Sequence, residues 1–286
     1  MLDLNNIPSQ QQQTTILYAT GNWQAWSKPR NAKFIEIFCL GGGGGGSIAT
    51  VGTGARNGGN GGGASGIVRG IIPAFLLPDT LYILVGKGGA GSTTNNTAGG
   101  VGGISYIGLQ PSTSEQTLIC KSSTNTPSNS AVGATISTVA LSAFGNLGLF
   151  TAIAGVGASL GTSGIGASQT ALATSLVTGG AAGGGKTTAE FFAGGNINSA
   201  SAILTTQVSG GTTDGEKGND GYGTLQPFCG TGGAGGAGRQ GDSQVGGNGG
   251  NGFYGCGGGG AGASSLTVGL RGGNGGDGIV IITVIS

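Results

Sequence analysis

A chain of 286 residues with 11 basic and 10 acidic side chains, and only 7% charged residues, has no electrostatic footprint for nucleic acid or for an anionic membrane surface. Histidine is absent, which removes the commonest general base and the commonest metal ligand together and argues against hydrolytic or zinc chemistry. Cys39, Cys120, Cys229 and Cys256 are far apart in sequence and lack the paired spacing of a zinc site.

Residues 1–13, MLDLNNIPSQQQQ, are expected to form a polar N-terminal arm and do not show the basic-then-apolar order of a secretory leader. The chain is therefore expected to be made in a cytoplasm with its thiols reduced. Residues 14–286 are expected to form one glycine-rich β domain. TTILYAT, the pair Trp23 and Trp26, and KFIEIFCL after Pro29 open it, the last reading as a strand buried on both faces or nearly so. Further strands are expected in GIVRGII (66–72), TLYILVG (80–86), ISYIGL (104–109), TLICKS (117–122) and the closing IVIITVI (279–285). The closing strand is uninterrupted and β-branched, so it should lie centrally in a sheet beside Lys33–Leu40. The longest apolar stretch, GIIPAFLLPDTLYILVG, is broken by Pro73, Pro78 and Asp79, too interrupted for a membrane span.

Between the strands glycine is written in threes: GGAGGAG at 232–238, GGNGGNG at 246–252, GGNGGDG at 272–278. A three-residue period matches an extended left-handed helix of the polyproline II kind, which makes no internal hydrogen bonds. Without side chains on two of three faces, such helices can approach and bond to one another laterally. The expected fold class is mainly β with little or no α-helix: a β-sandwich, jelly-roll or TNF-like, whose loops are expanded into a bundle of polyglycine II helices at 41–66, 86–103 and 230–278. The low proline content, 7 residues in all, excludes collagen. An uncharged central insertion at about 130–178 includes ATISTVALSAF and QTALATSLVT, read as strands from their Thr, Val and Ile content and expected to face another subunit.

Three motifs imitate ligand sites. GAAGGGKT at 180–187 satisfies the phosphate-loop pattern, which would put Lys186 on a terminal phosphate and Thr187 on magnesium. The helix that this motif requires is cut short by Gly194 and Gly195. GGNGGDGIV at 272–280 is an isolated copy of a calcium nonapeptide that works only in series. Asp214, Glu216 and Asp220 in DGEKGNDG lack the flanking helices of a calcium hand. No catalytic residue, cofactor or metal is expected. Trp23 and Trp26 could stack on a sugar or sit in a core. Phe253 and Tyr254 interrupt a glycine run at a turn, where their rings must reach the rim, the β core or a partner. With Tyr222 and Phe228 these six aromatics are the candidate contacts for a receptor or partner.

Taken in order, KFIEIFCLGGGGGG, LYILVGKGGAG, GCGGGGAGA and GGNGGDGIVIITV resemble the glycine-rich domains of bacteriophage tail-fibre, adhesin and related virion surface proteins, over roughly residues 15–286. The resemblance implies a β-sandwich elaborated by polyglycine II helices, a non-enzymatic role on the virion surface as a tail or head fibre or decoration protein, and, in adhesin members, attachment to the host through loops between the helices. Implied partners are other virion proteins, further copies of the chain in a homo-oligomer (a trimer), and a host surface glycan or protein. The alternative reading is an ice-binding protein built from the same helices.

Overall fold

The computed structural model describes residues 13–123, 126–128, 133–135, 149–170, 176–198, 203–225, 228–241 and 243–286. The strands in chain order are β1 (Gln13–Tyr18), β2 (Gln24–Ser27), β3 (Phe34–Leu40), β4 (Ile67–Pro73), β5 (Thr80–Leu84), β6 (Tyr106–Gly108), β7 (Leu118–Lys121), β8 (Phe150–Ile153), β9 (Gln169–Thr170), β10 (Ile197–Asn198), β11 (Gly223–Leu225), β12 (Phe228–Gly230) and β13 (Ile279–Ile285). The only helical turns among the described residues are short 3₁₀ turns at Ala74–Leu76 and Glu115–Thr117.

A five-stranded antiparallel sheet runs β1-β13-β3-β4-β8, and a four-stranded one runs β2-β5-β6-β7. The closing strand is central, as its composition predicts: Ile279 pairs with Leu40 and Ile285 with Phe34 on one side, and β1 lies on the other. Its alternate residues enter two different cores. Val280, Ile282 and Val284 join Ile35, Ile37, Leu81, Ile83 and Ile107 in a cluster shared by both sheets. Ile279 and Ile281 point the other way and pack with Leu40, Ile67, Phe228 and Cys256. β3 departs from its expected double burial. Phe34 and Glu36 are exposed, and only Cys39 and Leu40 at its end are fully buried as neighbours, because the second core lies only under that end.

From that end the glycine rows begin, and their hydrogen bonds turn with a period of three. In the row 41–47, Gly42 and Gly45 donate to Gly103 and Gly100; Gly43 and Gly46 donate to Gly276 and Gly273; Gly44 and Ser47 donate to Gly63 and Asn60. Each successive N–H thus points to a different antiparallel neighbour, the signature of a threefold screw. The carbonyls of the same row accept from Gly89 and Ser92 and from Gly258 and Ala261 of two parallel rows. Row 256–263 is enclosed more completely. Its N–H groups go to Thr178, Ala181 and Gly184, to Gly44 and Ser47, and to Gly250 and Gly247. Its carbonyls accept from 233–239, from 59–62 and from 273–276. Around such a row there is no room for side chains: a Cβ on Gly257 would lie 1.7 Å from Gly62 O.

The bundle is larger than the tracts assigned from sequence. Residues 156–162, 178–186, 192–196, 209–211 and 216–221 also run as rows in it, bonded to the triplet tracts through pairs such as Ser159 O with Gly61 N, Ala181 N with Gly233 O, and Ala234 N with Asn219 O. The described parts of the uncharged centre add β8 to the sheet edge and two residues of β9. Ala158, Ser159, Val177 and Thr178 are buried within the chain, whereas most of residues 149–170 keep some exposure, Leu160 and Ile165 among them. Of the strands expected in ATISTVALSAF and QTALATSLVT, residues 136–144 and 171–175 fall outside the described residues.

Candidate recognition site at the far end of the bundle

Rows that leave the sheets at Leu40, Leu84 and Gly230 reverse at the opposite end of the bundle, and the returning rows deliver the chain to β4, to β6 and, after a second excursion, to β13. The reversals at 49–56, 93–98, 162–165, 187–191, 212–216, 239–244 and 265–270 therefore gather at one end. Six of the chain's left-handed residues lie in them: Gly54, Asn96, Gly215, Gly241, Ser243 and Gly269. The rows themselves need no such conformation, so backbone chirality separates turn from helix.

Side chains staple these turns together. Lys186 is 1% exposed, and its ammonium donates to Gly241 O at 3.2 Å and to the Ser265 hydroxyl. Ser265 in turn donates to Gly241 O at 2.7 Å. The lysine of the phosphate-loop pattern thus sits beneath two turns, and Lys186 pairs reciprocally with Arg56 through the backbone at 2.9 Å. Glu216 accepts from the backbone N–H groups of Thr212 and Thr213 at 2.6 and 2.9 Å and from both hydroxyls. These bonds, the one from the Thr212 backbone first, hold its carboxyl down at about 2. Asp214 accepts from Gln240 N at 2.9 Å and lies 3.9 Å from Arg239 Nε.

A cleft of about 410 Å³ opens between the turns 49–56 and 93–98, lined by Ser47, Thr50, Arg56, Asn57, Asn60 and Asn96 among others. Arg56 is its cation. Nη1 donates to Ala55 O at 3.2 Å, Nε has no hydrogen-bond partner, and no carboxylate lies within ion-pair distance among the described residues. The guanidinium rests against Gly52, where a Cβ would come within 2.8 Å of Nη2.

Along one side of the bundle, the third residue of each triplet serves a different end. Where a row has no outer neighbour, a side-chain oxygen takes that neighbour's place: Asn274 accepts from Gly91 N at 2.8 Å, Asp277 from Gly88 N at 2.7 Å, Asn248 from Arg271 N at 2.8 Å and Asp220 from Asn251 N at 2.7 Å. In the calcium motifs, one oxygen each of Asn274, Asp277, Asp214, Glu216 and Asp220 is engaged with the backbone. No cluster of three or more metal-binding side chains occurs among the described residues.

The six aromatics do not all converge. Trp26 and Phe228 are buried by this chain's own residues, Trp26 in the core between the sheets, with Nε1 donating to Thr15 Oγ1 at 3.4 Å, so neither ring is available to a partner. Three of the six, Phe228, Phe253 and Tyr254, do meet, in a line of rings Phe38–Phe228–Phe253–Tyr254–Tyr18 with centroids 5.0 to 6.4 Å apart, filling the seam where bundle meets sheet. Phe253 and Tyr254 do mark a turn, closed by Cys256 N donating to Phe253 O, but at the sheet end. Burial, the neighbouring Tyr18 and Asp277 raise the Tyr254 phenol above its ordinary range. Trp23 leans on Tyr106 at 6.4 Å, and Tyr222 bonds to the backbone of Thr206. Sequence reasoning missed Arg56 and Asn96. The signal available was the polar break TGARN inside a glycine tract.

A family model described as a glycine-rich domain matches residues 18–256. The chain belongs to this family. The matched span takes in β2 to β12 and most rows of the bundle, and leaves out β13 and all of β1 but Tyr18. No curated protein matches the chain. Among the described residues, no helix is long and apolar enough to cross a membrane.

Proposed function

We propose that this glycine-rich chain is a non-catalytic structural protein of a virion surface, a tail or head fibre or decoration protein, which presents the turns at the far end of its bundle to a host surface. The observation that carries the reading is the division of labour along the bundle. One end is fused to the sheets through a continuous apolar core, while the other gathers stapled turns of varied sequence around a polar cleft. Loops held on a rigid scaffold are where binding functions concentrate. The phage resemblance of the sequence supports the same assignment. As a virion component it would associate with itself, as a trimer, and with other virion proteins. Mass spectrometry of purified particles and gold labelling of this chain on them test the assignment. Light scattering tests the assembly. Absence from particles together with a dilute soluble monomer would overturn both.

Ice binding is the second reading, favoured by the side of the bundle on which rows 87–93, 271–277, 248–252 and 217–221 lie next to one another. Lys87, Lys217, Asp220, Arg271 and Asp277 put charge on that side, against the small neutral lattice that ice would require. Thermal hysteresis at micromolar protein would establish it over the virion reading.

A further inference from the structure

We infer that the cleft between the turns 49–56 and 93–98 binds an anionic sugar unit, with Arg56 holding the anionic group and the surrounding amides and hydroxyls holding the ring. This rests on the reading of the far end as a recognition surface and names the chemistry that it recognises.

The cleft's volume of about 410 Å³ falls at the small end of ligand pockets and suits one or two sugar rings. Its lining points to a hydroxylated ligand rather than an apolar one. Asn57, Asn60, Asn96, Thr97 and Ser47 surround it, and Ile48 is its one large apolar side chain, itself only 2% exposed. Asn60 is oriented by its own framework bond, in which Oδ1 accepts from Gly161 N at 2.6 Å. Asn96 is held in a left-handed turn at φ 51, and its N–H donates to Ala49 O across the cleft's base.

The charge follows from Arg56. A guanidinium carries five donors in a fork that matches carboxylate or phosphate oxygens. Here one nitrogen is bonded to Ala55 O, Nε has no acceptor, and no carboxylate is paired with the group among the described residues. The guanidinium thus carries its charge at the cleft without a protein carboxylate to neutralise it among the described residues. A carboxylate or a phosphate on the sugar would neutralise it.

Isothermal titration of the full chain with a glucuronic acid oligosaccharide, glucose 1-phosphate, and neutral maltose as control tests this. Binding of either anionic sugar, with maltose at least tenfold weaker, is expected, and which of the two binds separates a carboxylate source from a phosphate source. Arg56→Ala should weaken binding by about tenfold or more, the usual loss for a charge-assisted hydrogen bond. Should Arg56→Ala fail to fold, Asn57→Asp, which adds a negative charge to the rim of the cleft and leaves Arg56 in place, should reduce binding instead. Equal binding of maltose, no binding of either anionic sugar, or unchanged affinity in the folded variant would overturn the inference. The virion assignment stands or falls separately, on the content of purified particles.

Discussion

Asn251 Oδ1 accepts the backbone N–H of Asn274 at 2.9 Å, while the N–H of Asn251 itself donates to Asp220 Oδ1 at 2.7 Å. At the side of the bundle, then, an amide oxygen stands where a further row's carbonyl would be. Asn251→Ala should leave the Asn274 N–H to water and lower stability by about 0.5–1.5 kcal/mol, whereas Asn251→Asp, which keeps the acceptor, should cost less. Denaturant midpoints of the two variants check the order, and reversal of it would count against the substitution of side chain for row.

Glycine should matter by position rather than by number. Gly257→Ala puts a methyl 1.7 Å from a backbone oxygen and should prevent folding or cost more than about 4 kcal/mol, the range of severe core mutations. Gly164 has nothing within 4 Å and no left-handed angle, so Gly164→Ala should be neutral or stabilise by up to about 1 kcal/mol. Gly269 is equally open but has φ +78, and Gly269→Ala should cost about 1–2 kcal/mol. Thermal melts of the three variants give the ranking directly.

Removing the ammonium of Lys186 leaves Gly241 O and the Ser265 hydroxyl short of a buried donor. Lys186→Met should destabilise the chain by about 1–3 kcal/mol. ATP with magnesium should leave the melting temperature of the unmutated protein unchanged, since any ligand of the native state alone must raise it. A clear ATP-dependent rise would restore the phosphate-loop reading of Lys186 and Thr187.

The turn 212–216 should loosen in acid. The Glu216 carboxyl is held at about 2, below its ordinary value of 4.5, by bonds from Thr212 and Thr213. A depressed folded value means that the contribution is present above the unfolded value and is lost as pH falls through the folded one. Hydrogen exchange at the Thr212 and Thr213 amides should therefore accelerate, beyond the intrinsic pH trend, between about pH 4 and pH 2. Glu216→Gln should show the faster exchange already at neutral pH, and equal protection in both proteins would contradict the role given to the carboxylate.

The sheets were legible because burial wrote itself into the strands: IVIITVI is apolar at every position but one, and only a strand between two cores can use both of its faces. The triplet rows were legible where two glycines occur in three. Rows with one glycine per turn were missed, although Gly218 and Gly221 keep the spacing and meet backbone oxygens at 2.3 and 2.1 Å from a would-be Cβ. A row needs glycine only where another backbone touches it. Ala181, Ala182, Ala234 and Ala237 are fully buried in the bundle as alanines, and that tolerance blurs the period. The cleft at Arg56 was illegible for another reason: its lining comes from the stretches 47–60 and 96–98 together with Gly161, brought together only by the way the rows fold back.

The threefold turning of the hydrogen bonds also sets the grammar of change in this chain. Removing one residue from a row would rotate every later N–H by a third of a turn, toward the wrong neighbour, while removing three would shorten the row by about 9 Å and leave every bond facing as before. Length in the rows is therefore counted in threes, and the turns at the far end, which answer to no such count, are free to vary one residue at a time.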